Sequence, residues 1–245
     1  MSIVLKKKYG QNFLIDNNIL NKISNLIDKE KYNILEIGPG DGKLTDKIIL
    51  KNPSSLSLVE IDKDLIKKLR EKYSYIEKIK KINSDILDFN LKKEYELVIS
   101  NLPYNISSQI LVKMSTNYNI PKILILMFQK EFAIRLLDKK LNSINSLIKC
   151  FYNIKLKFHV SRNCFRPIPK VDSSVLTFEK RKKNLICDNE ISSFINFKRK
   201  LFSHKRKTLK KILKDYKLKE KFELDLRVEN LELEELIRLF RTVIF

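Results

Sequence analysis

The sequence predicts an α/β fold, in which a parallel sheet is flanked by helices and followed by a small helical domain. Strand-like apolar runs alternate with helical patterns in the first half of the chain. Three of the chain's four glycines fall within five residues, between a strand and a helix start. Helical spacing without a convincing strand continues over residues 189–245. We therefore expect a Rossmann-like α/β domain at 1–181 and a helical domain at 182–245, linked near 179–184.

Five apolar runs are typical of buried strands, because each is short and bounded by turn residues. In chain order they are YNILEIG, LSLVEID, IKKINSD, YELVISN and PKILILMF. Apolar residues at helical spacing occur at 16–27 and 63–73. Strands that alternate with helices are joined by crossovers, so the sheet is predicted to be parallel. After PKVDSSVLTFEK the pattern becomes helical.

The composition indicates a folded protein with a polyanionic partner. The chain has 245 residues, of which 43% are hydrophobic, so it can bury a sizeable core. Its formal net charge is +21, from 50 Lys and Arg against 29 Asp and Glu. Lys, Asn and Ile are abundant throughout, as an AT-rich genome produces. The distribution of the basic residues therefore matters more than their total.

The cysteines and histidines argue against disulfides and metal sites. Cys150, Cys164 and Cys187 are scattered and form no CxxC pair, which fits a reducing compartment. His159 and His204 are the only histidines, so we expect no metal. No apolar run approaches the ~18 residues of a membrane span, and no signal-peptide core begins the chain. We expect a soluble, cytoplasmic protein without a membrane partner.

The segment ILEIGPGDGKLT predicts a nucleotide-binding turn. Gly38, Gly40 and Gly42 permit positive φ angles and close approach of a ligand to the backbone. The third glycine comes too early for the dinucleotide-binding pattern. Lys43 is not followed by the Ser or Thr that completes a P-loop. The GxGxG spacing suits a nucleoside-containing ligand without a pyrophosphate, of which S-adenosylmethionine is the common case. The alternative is a tight strand-to-helix turn that binds nothing.

Two acidic residues at the next strand ends favour the ligand hypothesis. Glu60 ends the second strand, where a carboxylate can accept both ribose hydroxyl protons. Asp85 follows the third strand, where a carboxylate can accept from the exocyclic amine of a cofactor adenine. Either residue alone is compatible with a solvated strand-end acid. Their order after a glycine loop favours a ligand site over two solvated acids.

The segment SNLPYNISS places an amide, a proline and an aromatic ring at the end of the fourth strand. The Asn101 oxygen and the carbonyls of Leu102 and Pro103 can accept the two N–H groups of an adenine amine and orient its lone pair. Proline fixes φ and holds those carbonyls in place. Tyr104 offers a face for a flipped-out base. The alternative is a proline turn with a packing tyrosine.

These motifs resemble those of the rRNA adenine N6-dimethyltransferases, most closely the small-subunit type, over nearly the whole chain. The matching segments are KKKYGQNFLID, EIGPGDGKLT, VEID, SDILDF, NLPYNISS, MFQKEFAIRLL, FRPIPKVDSSV and FSHKRKTLKKIL. The resemblance implies a class I methyltransferase domain that uses S-adenosylmethionine, with a C-terminal helical domain that contacts rRNA. The implied reaction transfers two methyl groups to each of two adjacent adenines in a hairpin near the small-subunit rRNA 3′ end.

The resemblance also assigns site residues and partners. It implies that the target adenine is held by Asn101, Pro103 and Tyr104, with Phe165 as a second stacking face. The residues that it places around the cofactor are Asn12, Leu14, Gly38, Gly40, Glu60, Asp85 and Asn101. The implied partner is small-subunit rRNA or a small ribosomal subunit precursor, and the implied state is a monomer.

Two other functions stay open at this point. Large-subunit enzymes that confer macrolide resistance share the QNF, EIG, NLPY-like and FxPxPKV elements, whereas MFQKEFAIRLL and FSHKRKTLKK favour the small-subunit type. A non-catalytic ribosome-assembly or transcription factor on the same fold is the other alternative. The intact glycine loop, Glu60, Asp85 and NLPY favour catalysis.

Basic residues concentrate in the predicted helical domain. Residues 198–214 contain nine Lys and Arg and no acid, with an apolar stripe that leaves the charges largely on exposed faces. The segment KKKYG adds a second basic patch near the N-terminus. Such side chains contact phosphates and give affinity with little sequence specificity. The alternative is a solubilising helix face.

Overall fold

The structure, a computed structural model, describes residues 11–28, 31–91 and 94–244. The chain divides into two compact units, one of residues 1–133 and 154–180, the other of residues 134–153 and 181–245. Residues 134–153 were expected in the first domain, whereas here they group with the C-terminal segment. The boundary at residue 181 as a limit of independent folding stays a prediction.

Within the described residues the chain forms eleven strands and nine α-helices. The strands are β1 (Phe13–Leu14), β2 (Asn33–Ile37), β3 (Ser55–Glu60), β4 (Ile79–Asn83), β5 (Leu97–Asn101), β6 (Ile123–Gln129), β7 (Tyr152–Val160), β8 (Phe165–Arg166), β9 (Ser173–Lys180), β10 (Lys217–Leu218) and β11 (Val243–Ile244). The helices are α1 (Asn17–Ser24), α2 (Lys43–Ile49), α3 (Lys63–Lys72), α4 (Ser107–Thr116), α5 (Lys130–Leu137), α6 (Asn145–Ile148), α7 (Ile191–Ser203), α8 (Leu209–Ile212) and α9 (Leu233–Thr242).

A seven-stranded sheet with the order β4-β3-β2-β5-β6-β9-β7 forms the centre of the first unit. Strands β2 to β6 are parallel, which confirms the predicted α/β fold. Strand β9 runs antiparallel to β6, and β7 lies beyond it, so the sheet is mixed rather than purely parallel. Strand β7 was not predicted, because its exposed lysines interrupt the apolar run that marks a buried strand.

The strand order reverses between β2 and β5, which are neighbours in the sheet but not in sequence. Ligands of such sheets bind beyond the carboxyl ends of the strands at this reversal. Both strands are apolar almost throughout, since helices cover the two faces of a parallel sheet. Their buried side chains include Ile34, Leu35, Leu97, Val98 and Ile99, none of which is exposed to solvent.

Aspartate caps begin two of the helices that pack on this sheet. The Asp16 side chain accepts hydrogen bonds from the backbone N–H groups of Asn18 and Ile19 at the start of α1. The Asp62 side chain accepts from the N–H of Asp64 at the start of α3. Loss of such a cap typically costs about 1 kcal/mol of stability. These caps explain why both helices begin close to the predicted positions.

A short antiparallel pair, β1 with β8, anchors the chain near its N-terminus. Leu14 pairs with Phe165, and Phe13 pairs with Arg166. The N–H of Ile15 also donates to the carbonyl of Cys164 at 2.8 Å. Residues 13–15 are therefore fixed against the segment that precedes β9.

The second unit has an aromatic core. The ring of Phe240 in α9 lies 5.2 Å from the ring of Phe194 and 5.6 Å from that of Phe197, both in α7. The expectation of no strand after residue 189 was wrong, because β10 and β11 pair there. Each has only two residues, too few to show a pattern in the sequence.

The basic segment 198–214 is not one continuous helix. Helix α7 ends at Ser203, and residues 205–207 lie in a turn before α8. The turn forms because Thr208 makes a β-bridge with Arg227, and the N–H of Leu209 donates to the Leu226 carbonyl at 2.8 Å. No helix in the described ranges is long and apolar enough to cross a membrane.

Candidate active site

A cavity lies beyond the carboxyl ends of β2, β3 and β5, and all its lining residues belong to the first unit. It brings together residues that are far apart in sequence, from β1, the glycine loop, three strand ends and the NLPY segment. The predicted site residues that line it are Asn12, Leu14, Gly38, Gly40, Glu60, Asp85, Asn101, Pro103 and Tyr104. Phe165 is the predicted site residue that does not.

The glycine loop has the positive φ angles that its sequence predicts. Gly38 has φ of 62° and Gly40 has φ of 61°, a region that L-residues with side chains rarely adopt. A Cβ on Gly38 would have no heavy atom within 4 Å, so the backbone there borders open space in the cavity. A Cβ on Gly40 would lie 2.7 Å from Cε1 of Phe13. The loop thus leaves room for a ligand at Gly38 and contacts the N-terminal segment at Gly40.

The carboxylate of Glu60 is held at the end of β3 by backbone donors. Its Oε2 accepts from the N–H of Gly40 at 3.2 Å, and its Oε1 accepts from the N–H of Asp62 at 3.0 Å. The residue is buried, and burial raises the pKa of this carboxyl above its ordinary range. Each carboxylate oxygen can accept more than one hydrogen bond. Glu60 can therefore accept hydroxyl protons from a ligand while it orders the glycine loop.

Asp85 lies half-buried in the turn that follows β4. Its Oδ1 accepts from the N–H of Leu87 at 2.8 Å, which fixes the side chain in an Asx-turn. Among the described residues, its Oδ2 has no protein partner. The geometry leaves one carboxylate oxygen to accept from an amine in the cavity.

The amide of Asn101 is oriented by the N-terminal segment. Its Nδ2 donates to the backbone carbonyl of Asn12 at 2.9 Å. A carbonyl only accepts hydrogen bonds, so this contact fixes which end of the amide is the donor. The Oδ1 of Asn101 is left as an acceptor at the cavity, as the adenine hypothesis requires.

Tyr104 is held at both ends. Its hydroxyl lies 2.6 Å from the hydroxyl of Ser173, and its backbone carbonyl accepts from the Ser107 hydroxyl at 3.2 Å. Burial raises the pKa of the Tyr104 phenol, so the group stays neutral at physiological pH. The half-buried ring lines the cavity beside Pro103.

Phe165 lies in the core instead of the cavity. Its side chain is 0% exposed and packs in the main apolar cluster of the first unit. It pairs with Leu14 across β1 and β8, and Leu14 lines the cavity. In this structure Phe165 supports the cavity wall, and its role as a stacking face stays a prediction.

Several residues that line the cavity were not predicted as site residues, among them Gln11, Phe13 and Glu36. The Nε2 of Gln11 donates to Oδ2 of Asp62 at 3.0 Å. Glu36 is 1% exposed and accepts from the Thr45 hydroxyl at 2.7 Å. A carboxylate inside an otherwise apolar strand, as in ILEIG, is the pattern that could have identified it.

We expect Glu36→Gln to change how stability depends on pH. Burial raises the Glu36 pKa from 4.5 to about 8, against a smaller opposing effect of the Thr45 hydrogen bond. Between these pH values the unfolded chain releases the proton and the folded protein keeps it. The Glu36 contribution to the free energy of unfolding therefore falls by about 1.4 kcal/mol per pH unit across this window and is constant above it. Glutamine stays neutral and keeps an acceptor for Thr45, so the variant should lack this fall.

Urea unfolding of the wild type and the variant, in a series of buffers from about pH 4 to about pH 9, measures how the free energy of unfolding of each depends on pH. Glu77→Gln is the control, because it makes the same chemical change at an exposed position. If the free energy of unfolding depends on pH in the same way in the wild type and in Glu36→Gln, the raised pKa of Glu36 is contradicted.

Comparisons with known proteins agree with these motifs. The sequence profile of the ribosomal RNA adenine dimethylase family matches residues 4–243. Ribosomal RNA small subunit methyltransferase A of Mycoplasmopsis pulmonis is 38% identical over 252 residues, covering 96% of this chain and 97% of that protein. The protein of the same name in Malacoplasma penetrans is 42% identical over 227 residues, covering 89% and 80%.

A solved structure has a similar fold. The dimethyladenosine transferase from Plasmodium falciparum superimposes with a TM-score of 0.82 and covers 95% of this chain and 100% of its own. Its sequence identity to this chain is 24%, so the similarity concerns the fold.

Proposed function

The chain belongs to the ribosomal RNA adenine dimethylase family, and we propose that it transfers methyl groups from S-adenosylmethionine to N6 of adenines in small-subunit rRNA. The observation that carries this proposal is the oriented amide of Asn101. Its Nδ2 is bound to the Asn12 carbonyl at 2.9 Å, and its Oδ1 is left to accept from an amine. A glycine loop and a buried carboxylate share the same cavity.

The residues in the cavity fit the chemistry of S-adenosylmethionine. Glu60 would accept from the ribose hydroxyls, because its backbone contacts leave acceptor capacity on both oxygens. Asp85 would accept from the cofactor adenine amine, and the open space at Gly38 would receive the ligand against the backbone. When bound, the cofactor supplies an activated methyl group with its own leaving group.

The NLPY segment would present the target base. The adenine amine is a poor nucleophile, because its lone pair is delocalised into the ring. The Oδ1 of Asn101 and the carbonyls beside Pro103 would accept its N–H groups and direct the lone pair toward the methyl donor. Tyr104 would stack on the extruded base. The contribution of these residues is alignment of the reactants and exclusion of water.

The names of the Mycoplasmopsis and Malacoplasma relatives support the small-subunit target over the large-subunit type. On the basis of the family resemblance we propose a more specific target. It is two adjacent adenines in the hairpin near the rRNA 3′ end, which are methylated on a small-subunit precursor. We also propose that the protein acts in the cytoplasm. We further propose that it does so as a monomer.

Exposed basic residues of the second unit would contact the rRNA backbone. Lys205, Arg206 and Lys207, here called the basic turn, are all exposed. Lys198 is different, because its ammonium group is buried and donates to the Ser143 carbonyl at 2.6 Å. Lys198 is thus the exception in segment 198–214, whose other Lys and Arg residues are exposed, as expected of most of its charges. The second predicted patch, KKKYG, lies outside the described residues and stays a prediction.

Mass spectrometry of rRNA tests the proposed function directly. In cells that lack the gene, dimethyladenine should disappear from small-subunit rRNA and return on complementation with the wild-type gene. A loss from large-subunit rRNA would assign the resistance-type activity. Unchanged methylation in both rRNAs would support a non-catalytic role.

Replacement of Glu60 by alanine should weaken binding of S-adenosylmethionine by about 1–3 kcal/mol, the cost of unpaired ribose hydroxyls. Calorimetry with the purified variant measures the affinity. The control is Glu71→Ala, an exposed glutamate on α3 outside the cavity. Unchanged affinity in a folded Glu60 variant would remove this residue from the cofactor site.

A further inference from the structure

We propose that Ser173 is a positioning residue for the reaction, which acts by holding the ring of Tyr104 through its hydroxyl. The inference rests on the proposed function, since it takes Tyr104 as the residue that stacks on the target base. Ser173 lies 69 positions from Tyr104 in sequence, and their hydroxyl oxygens are 2.6 Å apart.

Ser173 is part of the rigid sheet that also carries Asn101. It is the first residue of β9, is 0% exposed and pairs with Gln129 of β6. Strand β6 is in turn the direct neighbour of β5, where Asn101 pairs with Met127. The hydrogen bond therefore connects the Tyr104 ring to the same sheet that fixes the amide of Asn101.

The backbone of Tyr104 is fixed separately. The Ser107 hydroxyl donates to its carbonyl at 3.2 Å, and the N–H of Ile106 donates to the Pro103 carbonyl at 3.2 Å. With the backbone held, rotation about the side-chain bonds is the motion left to the ring. The contact with Ser173 restrains that motion at the far end of the ring.

The hydroxyl of Tyr104 needs an explanation, because phenylalanine would offer the same aromatic face. A buried hydroxyl is costly unless it is hydrogen-bonded. Among the described residues, the Tyr104 hydroxyl has Ser173 as its one hydrogen-bond partner. The pair thus orients the ring, and each hydroxyl satisfies the other.

The next residue provides a matched control. Ser174 is also 0% exposed in β9, but successive side chains of a strand point to opposite faces. Its hydroxyl lies 2.8 Å from Nδ1 of His159 instead of Tyr104. Alanine at position 174 removes the same atom from the same strand without touching the Tyr104 ring.

The experiment compares Ser173→Ala, Tyr104→Phe, the double variant and Ser174→Ala in methyl transfer to small ribosomal subunits. Both Ser173→Ala and Tyr104→Phe should lower the rate at saturating substrates by about three- to tenfold, the value of one lost hydrogen bond. Their affinity for S-adenosylmethionine should be unchanged. The double variant should be no slower than the slower single variant, because both changes remove the same contact. Ser174→Ala should transfer at the wild-type rate.

Several outcomes would overturn the inference while the proposed function stands. Wild-type rates for Ser173→Ala or Tyr104→Phe would do so, as would losses that multiply in the double variant. If Ser173→Ala does not fold, Tyr104→Phe still tests the contact from the other side without changing β9. Absence of transfer by the wild-type protein to any rRNA would instead refute the proposed function.

Discussion

Replacement of Asn101 by alanine should remove most methyl transfer, by about a hundredfold or more, while the protein stays folded. The variant loses the acceptor that orients the amine of the target base. It also loses the donor to the Asn12 carbonyl, a 2.9 Å hydrogen bond that positions the N-terminal wall of the cavity. A modest loss of cofactor affinity, about 0.5–1.5 kcal/mol, should therefore accompany the loss of turnover.

Single-turnover transfer to small subunits, combined with calorimetry of cofactor binding, separates the two effects. The control is Asn105→Ala, the same change at an exposed position outside the cavity lining. Near-normal turnover in a folded Asn101 variant would refute its role as the acceptor for the amine.

Reversal of all three charges of the basic turn should strongly weaken binding to small subunits. Lys205, Arg206 and Lys207 are replaced together by glutamate. Log affinity falls with log salt, and each lost phosphate contact should make this negative slope shallower by about 0.7–0.9. Three contacts would therefore flatten the slope by about 2–3 units. Cofactor affinity should stay at the wild-type value, because the residues that line the cavity belong to the other unit.

Filter binding across a salt series measures the slope. A matched control replaces Lys67, Arg70 and Lys80 by glutamate, which changes the net charge equally at exposed positions of the first unit. An unchanged slope in the folded basic-turn variant, or equal losses in both variants, would assign the basic turn to the solvated surface.

The parallel part of the sheet could be predicted from the sequence because its strands are locally distinct. Buried parallel strands have continuous apolar runs, and β2 to β6 match the predicted segments, with β3 and β6 each extending one residue beyond them. Strand β7 is an edge strand with exposed Lys155 and Lys157, so its pattern does not stand out. Its place in the sheet depends on pairing with β9, which no local pattern specifies.

In the candidate site too, local sequence patterns identify some residues and not those that depend on long-range contacts. Glu60 and Asp85 were identifiable because they follow strands in order, and strand ends meet at one edge of a sheet. Ser173 was not, because its partner Tyr104 lies 69 positions away. For Phe165 the motif implies a stacking role, which stays a prediction, whereas its side chain is buried in the core of this structure. Which way a side chain points is set by long-range packing.

The contact between Phe13 and the glycine loop restricts which mutations the two positions can accept during evolution. A Cβ at position 40 would lie 2.7 Å from the Phe13 ring. Any larger residue at position 40 therefore requires the ring to move, or a smaller side chain at position 13. A smaller residue at position 13 relieves that clash but leaves the backbone at φ of 61°, which still favours glycine. At this contact Gly40 is thus constrained twice, by its backbone and by its neighbour, whereas Phe13 is constrained there by packing. Variation should enter this pair at position 13 first.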